Sequence, residues 1–168
     1  LWTDDVLRRA RPYLAATLDR EAQLGARKQA EAAAKAVHAQ HVCSGAPVTD
    51  DEVLQVLRLW SLTVNKHRTN VLPKDRLAVP SDTFGAFSKR HTPRPTQLTH
   101  EYPYVASVLN AWATAFAPVG FKWTAITIKG HYAAKRHRDV GNAGPSIARA
   151  LGDFTGGLLR AWPRDFRR

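Results

Sequence analysis

The 168-residue chain contains no methionine and a single cysteine, Cys43. One thiol excludes an internal disulfide and any cysteine-based zinc site. A chain without methionine that starts at Leu1 reads as an excerpt of a longer one. No apolar run approaches the ~18 residues of a membrane-spanning helix, so no membrane partner is expected. The opening Leu1-Trp2-Thr3-Asp4-Asp5 is acidic where a secretory signal is basic, and an intracellular setting is the expectation. Acidic residues are scarce overall, 14 against 25 Lys and Arg, for a net charge of +11. Residues 1–84 carry 12 basic and 10 acidic side chains, whereas residues 85–168 carry 13 and 4. The basic second half attracts phosphate, nucleic acid or a small dicarboxylate. The plainer reading is a solvated surface, because no basic block interleaved with aromatics marks a nucleic-acid module.

Hydrophobic residues make up 44% and charged residues 23% of the chain, which excludes a disordered or collagen-like polymer. The length suits one domain with an appended arm. Residues 1–48 read as an Ala-rich helical arm and residues 49–168 as the domain. Thr3 or Asp4 caps a first helix with Leu7, Ala10, Leu14 and Leu18 at helical spacing, and Pro12 kinks or shortens it. Glu21–Gln40 continues as helix, with Arg27, Lys28 and Lys35 expected outward. Alanine favours helix but buries little surface, so weak packing is expected here. Such an arm is an ordinary extension or a partner-binding helix. Ser44-Gly45-Ala46-Pro47 breaks it. Thr49-Asp50-Asp51-Glu52 has the form of a capping box, and Val53, Leu54, Val56, Leu57 and Trp60 predict a helix reaching about Asn65.

A loop is expected over 67–81, a short strand over 82–89, and an extended loop at Thr92-Pro93-Arg94-Pro95. Thr99 should cap a helix in which Tyr102, Val105, Leu109, Trp112 and Phe116 share a face, ended by Pro118 and Gly120. The period then changes to two, and Phe121–Ile128 is the strongest strand in the chain. Further strands are expected at 145–151 and 158–162. Helices first and strands last give an α+β class. Trp123 and Trp162 read as core residues rather than substrate platforms.

The chemistry-bearing stretch is His131-Tyr132-Ala133-Ala134-Lys135-Arg136-His137-Arg138-Asp139, followed by Gly141-Asn142-Ala143-Gly144-Pro145-Ser146. In extended backbone residues i and i+2 point the same way, so His137 and Asp139 can face one point. An imidazole and a carboxylate so placed form two corners of the facial triad that holds non-haem Fe(II). His131 shares their parity but lies roughly 20 Å away along an extended chain. Asn142 and Ser146 could orient the carboxylate or touch substrate, or simply form turns beside Gly141 and Pro145. His137-Arg138-Asp139 and Asp153-Phe154 also copy fragments of protein-kinase motifs. A kinase needs asparagine five residues after that aspartate; here the position is Gly144, and no phosphate loop precedes it.

The phrase His137-Arg138-Asp139, Asn142-Ala143-Gly144-Pro145-Ser146 and Leu151-Gly152-Asp153-Phe154-Thr155-Gly156-Gly157 resembles the first half of the catalytic core of the 2-oxoglutarate/Fe(II)-dependent dioxygenases. It is most similar to protist and algal members related to the prolyl-hydroxylase and TET/JBP-type branches, over roughly residues 83–162. The resemblance implies a double-stranded β-helix, or jelly-roll, with His137 and Asp139 on Fe(II) and 2-oxoglutarate chelating the metal. Oxygen would cleave that co-substrate to succinate and CO2 while a C–H bond of an unidentified substrate is hydroxylated. The family's distal histidine has no counterpart, because no histidine follows His137. Nor does the basic residue that follows it and grips the far carboxylate of 2-oxoglutarate: Arg160, Arg164, Arg167 and Arg168 come too early in the order of strands. The expectation is therefore a helical region followed by a partial jelly-roll sheet. About four strands are counted where that scaffold needs about eight, so an open sheet edge should remain. The rival reading is a non-catalytic module on the same scaffold, with the basic half binding nucleic acid or another polyanion. A helical adaptor built on residues 1–66 is a third.

Overall fold

The structure, a computed structural model, describes residues 20–66, 68–74, 76–89, 92–130, 134–137 and 144–156. The helix expected over the first eighteen residues and the strand at 158–162, with Trp162, lie outside these.

Helix α1 spans Arg20–Ser44. Ala30 and Ala34 are fully buried on it. Their small side chains let the helix lie close against its neighbours, so the Ala-rich segment belongs to the core instead of packing weakly. Lys28 and Lys35 are exposed as expected, but Arg27 is buried, at 7% exposure. Arg27, Ala30 and Ala34 share one helical face; the charge is tolerated there because it meets a carboxylate. Helix α2 spans Asp50–Leu59 and begins with the expected capping box: Thr49 and Glu52 each satisfy the other's backbone amide. It ends at Leu59, short of Asn65. Trp60 turns to extended backbone at φ −78, ψ 124, which sends its indole N–H to the Asp82 carboxylate at 2.8 Å.

The chain then forms a four-stranded antiparallel sheet from β1 (Val64–Asn65), β2 (Val79–Lys89), β3 (Thr92–Pro95) and β4 (Ala125–Lys129). β2 is its centre and pairs with each of the others, with Phe84 opposite Ile126 and Asp82 opposite Ile128. On one face Phe84, Ile126 and Ile128 join the helical core. On the other, the Thr83 and Thr127 hydroxyls meet at 3.0 Å. β3 is a strand, in place of the loop that its two prolines suggest. Thr96 N–H donates to Gly85 O, so ladder bonds fall at Thr96, Arg94 and Thr92, and Pro93 and Pro95 sit between them where no N–H is needed. β4 starts at Ala125 rather than Phe121, because Phe121 N–H closes a turn onto Pro118 O. Trp123 lies half-buried, stacked on Phe121 with ring centroids 6.0 Å apart. Among the described residues no strand pairs with β4 on the side away from β2.

The helix expected from Thr99 is two helices, α3 (Gln97–Glu101) and α4 (Pro103–Phe116). Pro103 cannot donate within a helix and restricts Tyr102 before it. Thr96 is the cap of α3, and Thr99 instead serves the sheet, its hydroxyl accepting from Gly85 N–H at 2.7 Å. α4 has no side-chain cap of its own. Glu31 of α1 supplies one from afar, its two oxygens accepting the Tyr104 and Val105 N–H groups at 2.9 Å each. Val105, Val108 and Leu109 of α4 pack with Val53 and Val56 of α2, Phe84 and the α1 alanines in one core. Trp60 sets its ring edge-on against Phe84 and Tyr102 at 5.2 and 4.9 Å.

The class is thus mixed helix and strand, with helices layered on one face of an antiparallel sheet. No helix among the described residues is long and apolar enough to cross a membrane.

Two substitutions test this architecture. Gly85 has φ +107, and a Cβ there would sit 2.3 Å from Thr124 O and 2.7 Å from Ala125 Cα. Both are backbone atoms on the neighbouring chain segment, so Gly85→Ala should cost at least about 2 kcal/mol in urea unfolding. Arg27→Met should cost about 3–5 kcal/mol, because it leaves Asp82 buried and uncompensated. Adding Asp82→Asn to Arg27→Met should recover much of that loss, since the amide oxygen is uncharged and still accepts from Trp60.

Candidate functional site

β4 ends at Lys129, and Gly130 N–H bonds Pro80 O before the chain leaves the sheet. A Cβ on Gly130 would meet Leu62 Cδ1 at 2.7 Å, so this exit is close-packed. His131 lies outside the described residues. The segment 134–137 is held to the 68–74 loop by Lys135 N–H, which donates to Val71 O at 3.0 Å. Val71 itself is fully buried.

This fixes the backbone that carries His137. The ring is partly exposed, and Nδ1 lies 2.6 Å from Lys135 O. A carbonyl oxygen accepts only, so Nδ1 carries the proton, and in the neutral ring the lone pair is on Nε2. Metal-binding histidines are commonly prepared in this way, with one nitrogen tied to a carbonyl and the other turned to the metal. Asp139 and Asn142 lie outside the described residues. Ser146 is described, exposed and in no regular element. Among the described residues no three His, Cys, Asp or Glu side chains converge as a metal site.

The strand expected at 145–151 is not formed. These residues adopt no regular structure and touch the helical layer through Arg149 and Leu151. Arg149 Nη2 lies 2.5 Å from Asp50 Oδ2, while the other oxygen of Asp50 accepts Trp112 Nε1–H at 2.8 Å. The guanidinium stacks 4.9 Å from the Phe116 ring centroid. Leu151 packs against the core, and a Cβ on Gly152 would lie 3.6 Å from Leu54 Cδ1. The segment is thus fastened to α2 and α4. The clamp displaces strand propensity because it offers a charged pair, a stacked ring and an apolar anchor. Gly152 and Gly156 adopt positive φ of 90 and 76, as bends there require. Gly157 lies outside the described residues.

Nothing in the sequence pattern marks this clamp, since Arg149 and Asp50 are 99 residues apart and neither belongs to a motif that would join them. A shallow groove of about 330 Å³ lies between α1 and the junction of α3 with α4, lined by Leu24, Lys28, Glu31, Glu101 and Tyr102. None of the predicted site residues belongs to it.

The Arg149 hydrogen bond, and after it that of Trp112, hold the Asp50 carboxyl below its ordinary pKa. The clamp's contribution is therefore present above the ordinary carboxylate range and is lost as pH falls through the lowered value. Limited proteolysis at neutral pH should show 145–151 protected in the unmodified chain and cut faster in Arg149→Ala. Equal protection in the variant would show that Leu151 alone holds the segment. No family model matches the chain, and no curated protein or solved structure matches it.

Proposed function

We propose that the chain is part of a 2-oxoglutarate/Fe(II)-dependent dioxygenase-like enzyme, with His137 and Asp139 as two of the iron ligands. The observation that supports this reading is the Nδ1–carbonyl bond of His137, which fixes the orientation of the ring and, in its neutral form, places the proton on Nδ1. Its context supports it: the histidine follows shortly after an antiparallel strand, β4, as the resemblance implies. The finer architecture we propose is the first half of a double-stranded β-helix, with β2 and β4 among its strands. The outer edge of β4, to which no described strand is paired, is where further sheet would add.

When bound, iron with 2-oxoglutarate supplies oxidative hydroxylation. The chain's own part is narrower. The Lys135–Val71 bond holds the segment in place, and Lys135 O orients the imidazole. Asn142 and Ser146 would steady the carboxylate or meet substrate. Two protein ligands leave most of the metal's positions to water and co-substrate, so this chain by itself should hold iron loosely and turn over near background.

A second reading is a non-catalytic polyanion-binding module, favoured by the exposed Arg94, Lys122, Lys129 and Lys135. It predicts salt-sensitive retention of nucleic acid that is indifferent to His137.

The discriminating measurement is paramagnetic broadening by Mn(II), a stand-in for Fe(II) with similar ligand preference, in NMR spectra of the chain. Broadening should centre on the His137 ring and Asp139 and disappear in Asp139→Asn. In a chain extended by further strands of the proposed scaffold, His137→Ala should reduce succinate formation more than ~100-fold, beyond what loss of an outer-shell partner costs. Undiminished succinate release in that variant, or broadening that ignores both residues, would refute the assignment.

A further inference from the structure

The junction between α1 and α2 carries a histidine with no spare lone pair. His41 stands in the last turn of α1, with its side chain 11% exposed. Nδ1 lies 2.7 Å from Ala46 O, in the linker to α2. Nε2 lies 2.8 Å from Glu52 Oε1, in the first turn of α2. The other oxygen of Glu52 already accepts the Thr49 backbone N–H at 2.8 Å and the Thr49 hydroxyl at 2.7 Å. A carbonyl oxygen has no proton to give, and a carboxylate that accepts at both oxygens is ionised. Each ring nitrogen must therefore bring its own hydrogen, and only the imidazolium has two. Either neutral tautomer would point a lone pair at an oxygen less than ~3 Å away, the length of an ordinary hydrogen bond.

We propose that His41 is a proton-operated latch: as an imidazolium it ties the 45–49 linker and the cap of α2 to the end of α1, and on losing its proton it lets that junction open. The inference is independent of the metal assignment.

The surroundings favour the cation. Glu52 faces the ring from α2, with Asp51 exposed beside it. α4, which also packs on α1, has no charged side chain along its length. On α1 itself, His38 is engaged with Ser107 at 3.1 Å and the Lys35 ammonium lies over the Tyr104 ring. The linker residues 45–49 are uncharged. The negative end of the helix dipole adds to the attraction. The Glu52 hydrogen bond, then that of Ala46, raise the His41 pKa above 6.5 against a smaller opposing effect of burial. For Glu52, burial pushes upward, but the bonds from Thr49 and His41 outweigh it and bring the carboxyl down to about 2. A raised histidine pKa means that the tie is fully present below 6.5 and lost as pH rises through the folded value. Glu52 stays ionised throughout that window, so His41 alone sets it.

The test is an NMR titration of the imidazole nitrogens, with amide exchange of 45–49 measured over the same pH range and corrected for intrinsic base catalysis. Both nitrogens should be protonated at pH 6.5, with a midpoint above that value. Protection of the Thr49 amide should fall through that same midpoint. In Glu52→Gln the midpoint should move down, and in His41→Gln the corrected exchange should lose its pH dependence. A midpoint at or below 6.5 in the unmodified chain, or linker protection that stays constant while His41 titrates, would overturn the proposal.

Discussion

The Asp82 carboxylate is the constraint on which the layers depend. One of its oxygens accepts Trp60 Nε1–H at 2.8 Å, Thr63 N–H at 3.0 Å and an Arg27 guanidinium N–H at 3.1 Å. Arg27 also donates to Ser61 O at 2.9 Å and lies over the Trp60 ring. The Arg27 and Asp82 side chains are 9% and 3% exposed. A pair buried to this degree gives little net stability compared with apolar packing, but it is costly to break. Its effect is to fix geometry. It sets the position of α1 against the sheet, ends α2 at Leu59, and aims the chain into β1.

Distant polar contacts hold the helical layer in the same way. Glu31 of α1 caps α4, Asp50 of α2 receives both Trp112 and Arg149, and His41 joins the two ends of the first helical junction. The packed core itself is made of small and medium side chains, with Trp60, Phe84, Tyr102 and Trp112 as its large members. Apolar contact between such side chains is non-directional, which leaves the polar contacts to decide register.

These contacts bear on the candidate site through the C-terminal run. His137 is oriented by its own backbone and by Val71, whereas Arg149 and Leu151 take the following segment to the helices. The histidine and the 145–151 segment therefore rest on different supports. An enzyme that adds strands beyond β4 would have to reconcile that clamp with a continuing sheet.

Local patterns were legible in the amino-acid sequence. The capping box at Thr49, the break at Ser44–Pro47, the apolar face of α4 and the alternation into β4 all follow from contacts within a few residues, where propensity and period act directly. So did the mixed helix and strand class. The His137 ring tie is also local, spanning two residues. The tertiary structure decided what depends on distant partners: the burial of Arg27, the early end of α2 and the loss of a strand at 145–151. Arg27 looks like a surface residue until Asp82 is placed beside it, and residues 145–151 look like a strand until Arg149 finds Asp50. Sequence period registers hydrophobic faces, but it cannot register a charge whose compensating partner lies 55 residues away.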